Sequence, residues 1–328
     1  MKIKATFITC ILALCTAVTT TAQQSQQDEP KGKAIIQVFS NFHSGFGSQR
    51  YDRGFELDRS YLGYQYDLGK GLQVKAVMDV GQSDDVNDYH RIAYIKNAQI
   101  TWKTGNWTLN GGLISTTQFN MQEKFWGYRY IMKSFQDLYK FGSSADLGIS
   151  AAYKFNDWLS ADAIVVNGEG YKKIQKNDGL MYGLGATLTP VKGLSMRVYY
   201  GLNEGADDNK ENKQNLATFI GYKGDSFSIG AEYNLYKNDG NVKGNDMSGF
   251  SIYGTTNLSK NTSIYARYDN LSSKDNWNEA KEESAWMAGV QFKIGKYVKL
   301  APNFRMNMPK MDGAEDQYMA YISCYFGL

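Results

Sequence analysis

The sequence predicts an all-β protein, a transmembrane antiparallel β-barrel of about sixteen strands, on three observations. Short segments alternate apolar and polar residues with a period of two, so each presents two different faces. The connections alternate strictly between tight turns and longer loops, as they do when all short turns lie at one end of a barrel. The composition is rich in Tyr (24) and Gly (33), poor in Pro (4) and His (2), and has a mean hydropathy of −0.47, which suits aromatic girdles around a polar interior.

The chain starts with Met1-Lys2-Ile3-Lys4, an apolar run to about Val18, and Thr20-Thr21-Ala22. A basic start, a short apolar core and small residues at a cleavage site mark residues 1–22 as a secretory signal peptide. A lipoprotein signal at Cys15 would need a small residue where Leu14 stands. Residues 23–32 are polar and aperiodic, a flexible lead-in to a barrel over 33–328. Removing the signal leaves Cys324 as the single cysteine, which allows no internal disulfide and no cysteine metal cluster. It also removes Lys2 and Lys4, so the formal charge falls from +3 to +1, too small for a nucleic-acid partner. No later run of about 18 apolar residues exists to make a membrane-spanning helix.

The strands pair in order. Segment 33–45 sets Ile36, Val38 and Phe42 on one face and Gln37, Asn41 and His43 on the other, and 55–68 follows. Gly69-Lys70-Gly71 turns into 72–80, where Leu72, Val74, Ala76 and Met78 oppose Gln73, Lys75 and Asp79. Segments 92–104 and 107–117 turn at Gly105-Asn106, 146–155 and 159–167 at Asn156-Asp157, and 180–189 and 194–202 through Pro190 to Gly193. Then 216–223 and 227–236 turn at Gly224-Asp225, 250–258 and 264–270 at Ser259-Lys260-Asn261, and 286–294 and 298–307 at Gly295-Lys296; 317–328 closes the series. Gly, Asn and Asp supply the backbone geometry of tight hairpins. Lys96 on the apolar parity and Phe219 on the polar parity break the pattern, which bulges or extension beyond the bilayer would explain. Lipid can cover the apolar row around a closed ring, and closure removes the unpaired edges that hydrocarbon would penalise.

Residues 120–144 do not alternate. They are long, aromatic and cationic, with Ile131, Phe135 and Leu138 at helical spacing. A loop of this length is usually functional. By position it is the third of eight long loops.

The closing residues Tyr318-Met-Ala-Tyr-Ile-Ser-Cys-Tyr-Phe-Gly-Leu328 form an aromatic, apolar terminal strand. They look like the C-terminal signal of Gram-negative outer-membrane barrels, except that Gly327-Leu328 follow Phe326 where the usual signal ends on Phe. Together with Phe55-Glu-Leu-Asp-Arg-Ser-Tyr-Leu-Gly-Tyr-Gln-Tyr66, the chain resembles outer-membrane porins, particularly the phosphate-selective porin group. The resemblance implies a Gram-negative outer-membrane location among lipid and lipopolysaccharide, passive diffusion of small hydrophilic solutes or anions, a homotrimer, no cofactor, and a third loop folded into the lumen.

That loop would then set a constriction with Lys124, Arg129, Lys133 and Lys140 against Glu123 and Asp137. Lumen-parity cations on the wall are Arg59, Lys75, Lys154, Arg197, Arg267, Lys293, Lys299 and Arg305; the acids are Asp67, Asp79, Asp146, Asp162, Glu232 and Asp269. The expectation is a mildly anion-favouring eyelet, unless these charges pair across strands and only keep the pore wet. The loop aromatics either guide sugars or pin the loop to the wall. Asp84, Asp85, Asp88, Asp207 and Asp208 match no Ca²⁺ loop, so no metal site is expected. His43 and His90 sit in no nucleophile motif, which argues against an enzyme. Leu188 stands where a nucleotide fingerprint beginning Gly183-Leu-Gly185 needs its third glycine. The alternatives are a channel selective for phosphate or oligosaccharide, and a structural or adhesive barrel with a closed lumen.

Overall fold

The computed structural model describes residues 31–82, 90–206 and 210–328. The expected signal peptide, most of the lead-in, and the loop acids Asp84, Asp85, Asp88, Asp207 and Asp208 lie outside the described residues. Among the described residues sixteen strands follow one another: β1 (Lys31–Phe46), β2 (Arg53–Gly69), β3 (Leu72–Gln82), β4 (Arg91–Thr104), β5 (Trp107–Ser115), β6 (Ala145–Lys154), β7 (Leu159–Val166) and β8 (Met181–Leu188). They continue as β9 (Leu194–Asn203), β10 (Lys213–Lys223), β11 (Phe227–Lys237), β12 (Met247–Asn257), β13 (Thr262–Ser273), β14 (Glu283–Ile294), β15 (Val298–Pro309) and β16 (Gln317–Gly327). Each pairs antiparallel with its neighbours, and β1 pairs with β16, so the sheet closes on itself. No described helix is long and apolar enough to cross a membrane.

The alternation sorts side chains as the sequence predicts. On β3, Val74 and Met78 are exposed on the outer face while Val77 and Asp79 are buried inside. The first strand starts at Lys31, two residues ahead of the expected barrel start. Strands β10, β12 and β14 begin three residues earlier than the alternation shows, and β13 ends three later. Those extensions lie at the long-loop end, where polar residues such as Gln214, Ser248, Ser272 and Ser284 stand on both faces and carry no apolar period. Lys96 is an extra residue at a register shift: Val77 pairs with Asn97 and Met78 with Ile95. The bulge turns Lys96 inward, where its ammonium lies 3.1 Å from the Tyr61 hydroxyl.

The third long loop, L3 (residues 116–144), enters the barrel. Its first helix, α1 (Asn120–Trp126), ends at Gly127 with φ 71°, a left-handed cap that glycine adopts without strain. The second, α2 (Phe135–Leu138), is a single turn, and Ile131 lies outside it; the helical spacing read across 131–138 is therefore only half realised. Apolar contact takes Ile131 instead, among Phe39, Tyr253, Tyr265 and Met287 of the inner wall.

The loop aromatics pin L3 to the wall. Phe125 packs on Phe219 (4.9 Å between ring centroids), which explains an aromatic residue at a lumen-facing position. Trp126 is 1% exposed, edge-on to Tyr253 and Tyr265. Tyr128 stacks on Tyr265 (4.3 Å), Tyr130 meets Tyr325, and Phe141 stacks on Tyr236. Two wall glycines are seats for this layer. A Cβ on Gly221 would lie 2.6 Å from the Phe125 ring, and one on Gly249 2.4 Å from Phe135.

Replacing Trp126 by Ala removes the largest of these buried anchors and should weaken docking of L3 by about 3–5 kcal/mol. Limited proteolysis should then cut within 120–140 much faster, while the barrel keeps its heat-resistant mobility on gels. Unchanged cleavage would show that Trp126 is not what holds the loop.

Candidate functional site: the eyelet beneath the third loop

L3 lies across the inner wall with its peptide groups away from bulk water, so its carbonyls need donors. Wall arginines supply them. Arg267 donates to Lys133 O (2.6 Å), Arg305 to Ile131 O (2.9 Å) and Arg197 to Thr117 O (2.8 Å). Tyr253 adds a bond to Gln122 O, Tyr130 donates to Gln291, and Tyr139 donates to Glu283.

Two of these arginines are also neutralised by carboxylates. Arg267 and Asp269 make two bonds of 2.8 and 2.6 Å with both side chains 1% exposed. Arg197 grips Asp162 through two bonds (2.7 and 2.9 Å) across β8, over Gly185, where any Cβ would collide with both. Among the described residues Arg305 has no carboxylate at bonding distance; it stands over the Tyr321 ring, 3.7 Å from the centroid, and donates to Asn303 Oδ1. Of the sequence-derived wall cations, Arg197, Arg267 and Arg305 therefore anchor the loop, and Arg197 and Arg267 are also paired with carboxylates. The sequence shows their parity but not their partners.

The other wall cations divide by depth. Lys154 pairs with Asp157 of the adjacent tight turn at 2.6 Å and is well exposed, which places it at the rim. Lys293 and Lys299 face each other beside the turn joining β14 and β15, with Lys299 over Tyr325 and Tyr130. Lys75 lies half-buried on β3, within electrostatic range of Lys96. Arg59 reaches the level of L3, pairing with Asp79 at 3.2 Å and bonding the Tyr61 hydroxyl.

On the loop side, Arg129 bridges Glu123 (3.5 Å) and Asp137 (3.0 Å). Burial works against the Asp137 charge, but Arg129, then Lys133, Lys96 and Arg59, outweigh it and hold its carboxyl below the ordinary range. Burial also pushes the Lys133 ammonium below the usual lysine range; Asp137 opposes this, while Arg59, Arg129 and Lys172 reinforce it. Loop and wall charges thus form one electrostatic cluster. It holds Arg59, Lys96, Arg129, Lys133 and Lys172 against Asp79, Glu123 and Asp137, so cations outnumber carboxylates. Lys124 and Lys140 are exposed, the first in the last turn of α1 and the second just after α2.

Sequence reasoning missed Lys96 and Lys172 as members. Lys96 carried a signal, its wrong parity, whereas Lys172 lies in a loop with no pattern to read. His43 is held between Asn41 (2.8 Å) and Asp52 (3.1 Å). Among the described residues no group of three His, Cys, Asp or Glu is placed to hold a metal ion.

Residues 141–317 match the family model described as "beta-barrel porin-2, OmpL-like". No curated protein sequence matches. Solved structures share the fold at low identity. OprB of Pseudomonas putida superposes with a TM-score of 0.71 at 10% identity, over 90% of this chain and 94% of that one. The anion-selective porin of Comamonas acidovorans gives 0.67 at 13% identity, covering 92% and 100%. OmpT of Vibrio cholerae gives 0.64 at 14%, covering 93% and 100%.

The depressed Lys133 has a measurable consequence. Its ammonium should lose its proton below the usual lysine value of about 10.4, so any anion preference of the eyelet should fall as pH rises, before the ordinary lysine range is reached. Zero-current potentials across reconstituted bilayers would record this, and Lys133→Met should flatten the profile. A wild-type profile already flat would remove Lys133 from the eyelet.

Proposed function

The chain belongs to the β-barrel porin-2, OmpL-like family, and on that premise we propose that it is a general diffusion porin of the Gram-negative outer membrane with a mild preference for anions. The family and the closed sixteen-strand barrel support a passive channel for small hydrophilic solutes. The anion preference rests on one observation: the excess of cations where L3 faces Arg59 and Lys96. Ions shed part of their hydration in a narrow passage, so wall charges act there with less screening than in bulk water. One structural relative is described as anion-selective, but at 13% identity that likeness supports the fold alone.

Cross-strand pairing tempers the field. Arg59, Arg197 and Arg267 each face a carboxylate, which is why the preference is mild and not a filter. Membership of the phosphate-selective group would require phosphate to occupy the cluster and block chloride current. Assembly as a homotrimer belongs to the same reading and is checked by native mass spectrometry in detergent.

Deleting residues 125–140 should raise single-channel conductance severalfold and bring the zero-current potential in a KCl gradient towards zero, since both the obstruction and Arg129 and Lys133 go. Unchanged conductance in a folded barrel would place L3 outside the conduction path. A wild-type potential of the cation-selective sign would overturn the anion preference.

A further inference from the structure

The fourth long loop, L4 (residues 167–180), also crosses the interior. Its entry is fixed at Asp146 of β6, whose carboxylate accepts the amides of Gly168 (2.8 Å) and Gly170 (3.1 Å). The Tyr171 amide bonds Ala145 O. So held, the Tyr171 side chain reaches past β6, β5 and β4, and its hydroxyl donates to Asp79 Oδ2 on β3. Its ring meets Tyr94 edge-on at 6.4 Å, and Lys96 lies over both Tyr61 (4.5 Å) and Tyr171 (5.6 Å). The next residue, Lys172, covers Tyr94 at 5.1 Å and acts electrostatically on Lys133 of L3.

We propose that L4 is the second jaw of the eyelet and that Tyr171 sets its charge selectivity by capping Asp79, the carboxylate that the wall contributes to the cluster. The proposal deepens the anion-favouring reading and rests on it. Asp79 is 2% exposed, ion-paired with Arg59 at one oxygen (3.2 Å) and hydrogen-bonded by the phenol at the other. A carboxylate ion-paired at one oxygen and hydrogen-bonded at the other is a poor ligand for a passing cation, while Lys96, Lys172 and Lys133 stand beside it. The phenol remains a donor, because burial and then Asp79 push its ionisation well above the ordinary tyrosine range. Removing only the hydroxyl would leave the ring packed on Tyr94 and beneath Lys96 but return one Asp79 oxygen to the pore.

The test is Tyr171→Phe in planar bilayers under a KCl gradient. The chloride-to-potassium permeability ratio should fall about twofold relative to wild type, with single-channel conductance nearly unchanged. In an Asp79→Asn background the same substitution should have no effect. Tyr171→Ala, which also removes the ring, should raise conductance. A wild-type ratio in Tyr171→Phe, or a shift that persists with Asn at position 79, would overturn the capping role; unchanged conductance in Tyr171→Ala would overturn the second jaw. Because each variant is read against wild type, these outcomes stay distinct from the sign of the wild-type potential, on which the anion preference itself stands.

Discussion

Hydrocarbon offers no partner to a peptide group, and most of this structure answers that constraint. It forces β1 onto β16 and so forces a ring. A ring of sixteen strands is too wide for side chains alone to fill. The chain occupies part of the space with L3, and the same constraint returns at smaller scale, because the backbone of L3 lies against a wall with little water. Arg197, Arg267 and Arg305 meet it by donating to L3 carbonyls. Wall charges that a pattern reader assigns to ions are thus spent first on backbone.

The arginines bring a second requirement. A guanidinium in a low-dielectric setting is costly unless paired, and Asp269 and Asp162 pair Arg267 and Arg197 with two bonds each. What remains for a permeating solute is the unequal set between the tip of L3, the β2–β4 wall and L4. The proposed anion preference is accordingly a small residue of a large, mostly cancelled charge inventory.

The barrel was legible in the sequence because its two governing signals are local. Period-two alternation and turn residues lie within a dozen positions, so all sixteen strands and the order of their loops could be read in advance. The strand ends were less legible, since beyond the bilayer both faces are polar and alternation stops. The two misfits were the most informative positions: Lys96 marks a bulge, and Phe219 marks where the loop rests. Partnerships were not legible. That Arg197 passes over Gly185 to Asp162, or that Tyr171 reaches Asp79, depends on register and curvature summed over several strands, which no spacing along the chain encodes.

The seats at Gly221 and Gly249 bear on how such channels can be re-engineered and how they diverge. A loop whose aromatic rings fit hollows in its own barrel is not a portable cassette. Grafted onto a wall with ordinary side chains at those positions, residues 116–144 would carry rings with nowhere to lodge. Exchange of pore loops between relatives therefore needs matched substitutions on β10 and β12, whereas the β2–β4 side of the passage can vary without disturbing those two seats.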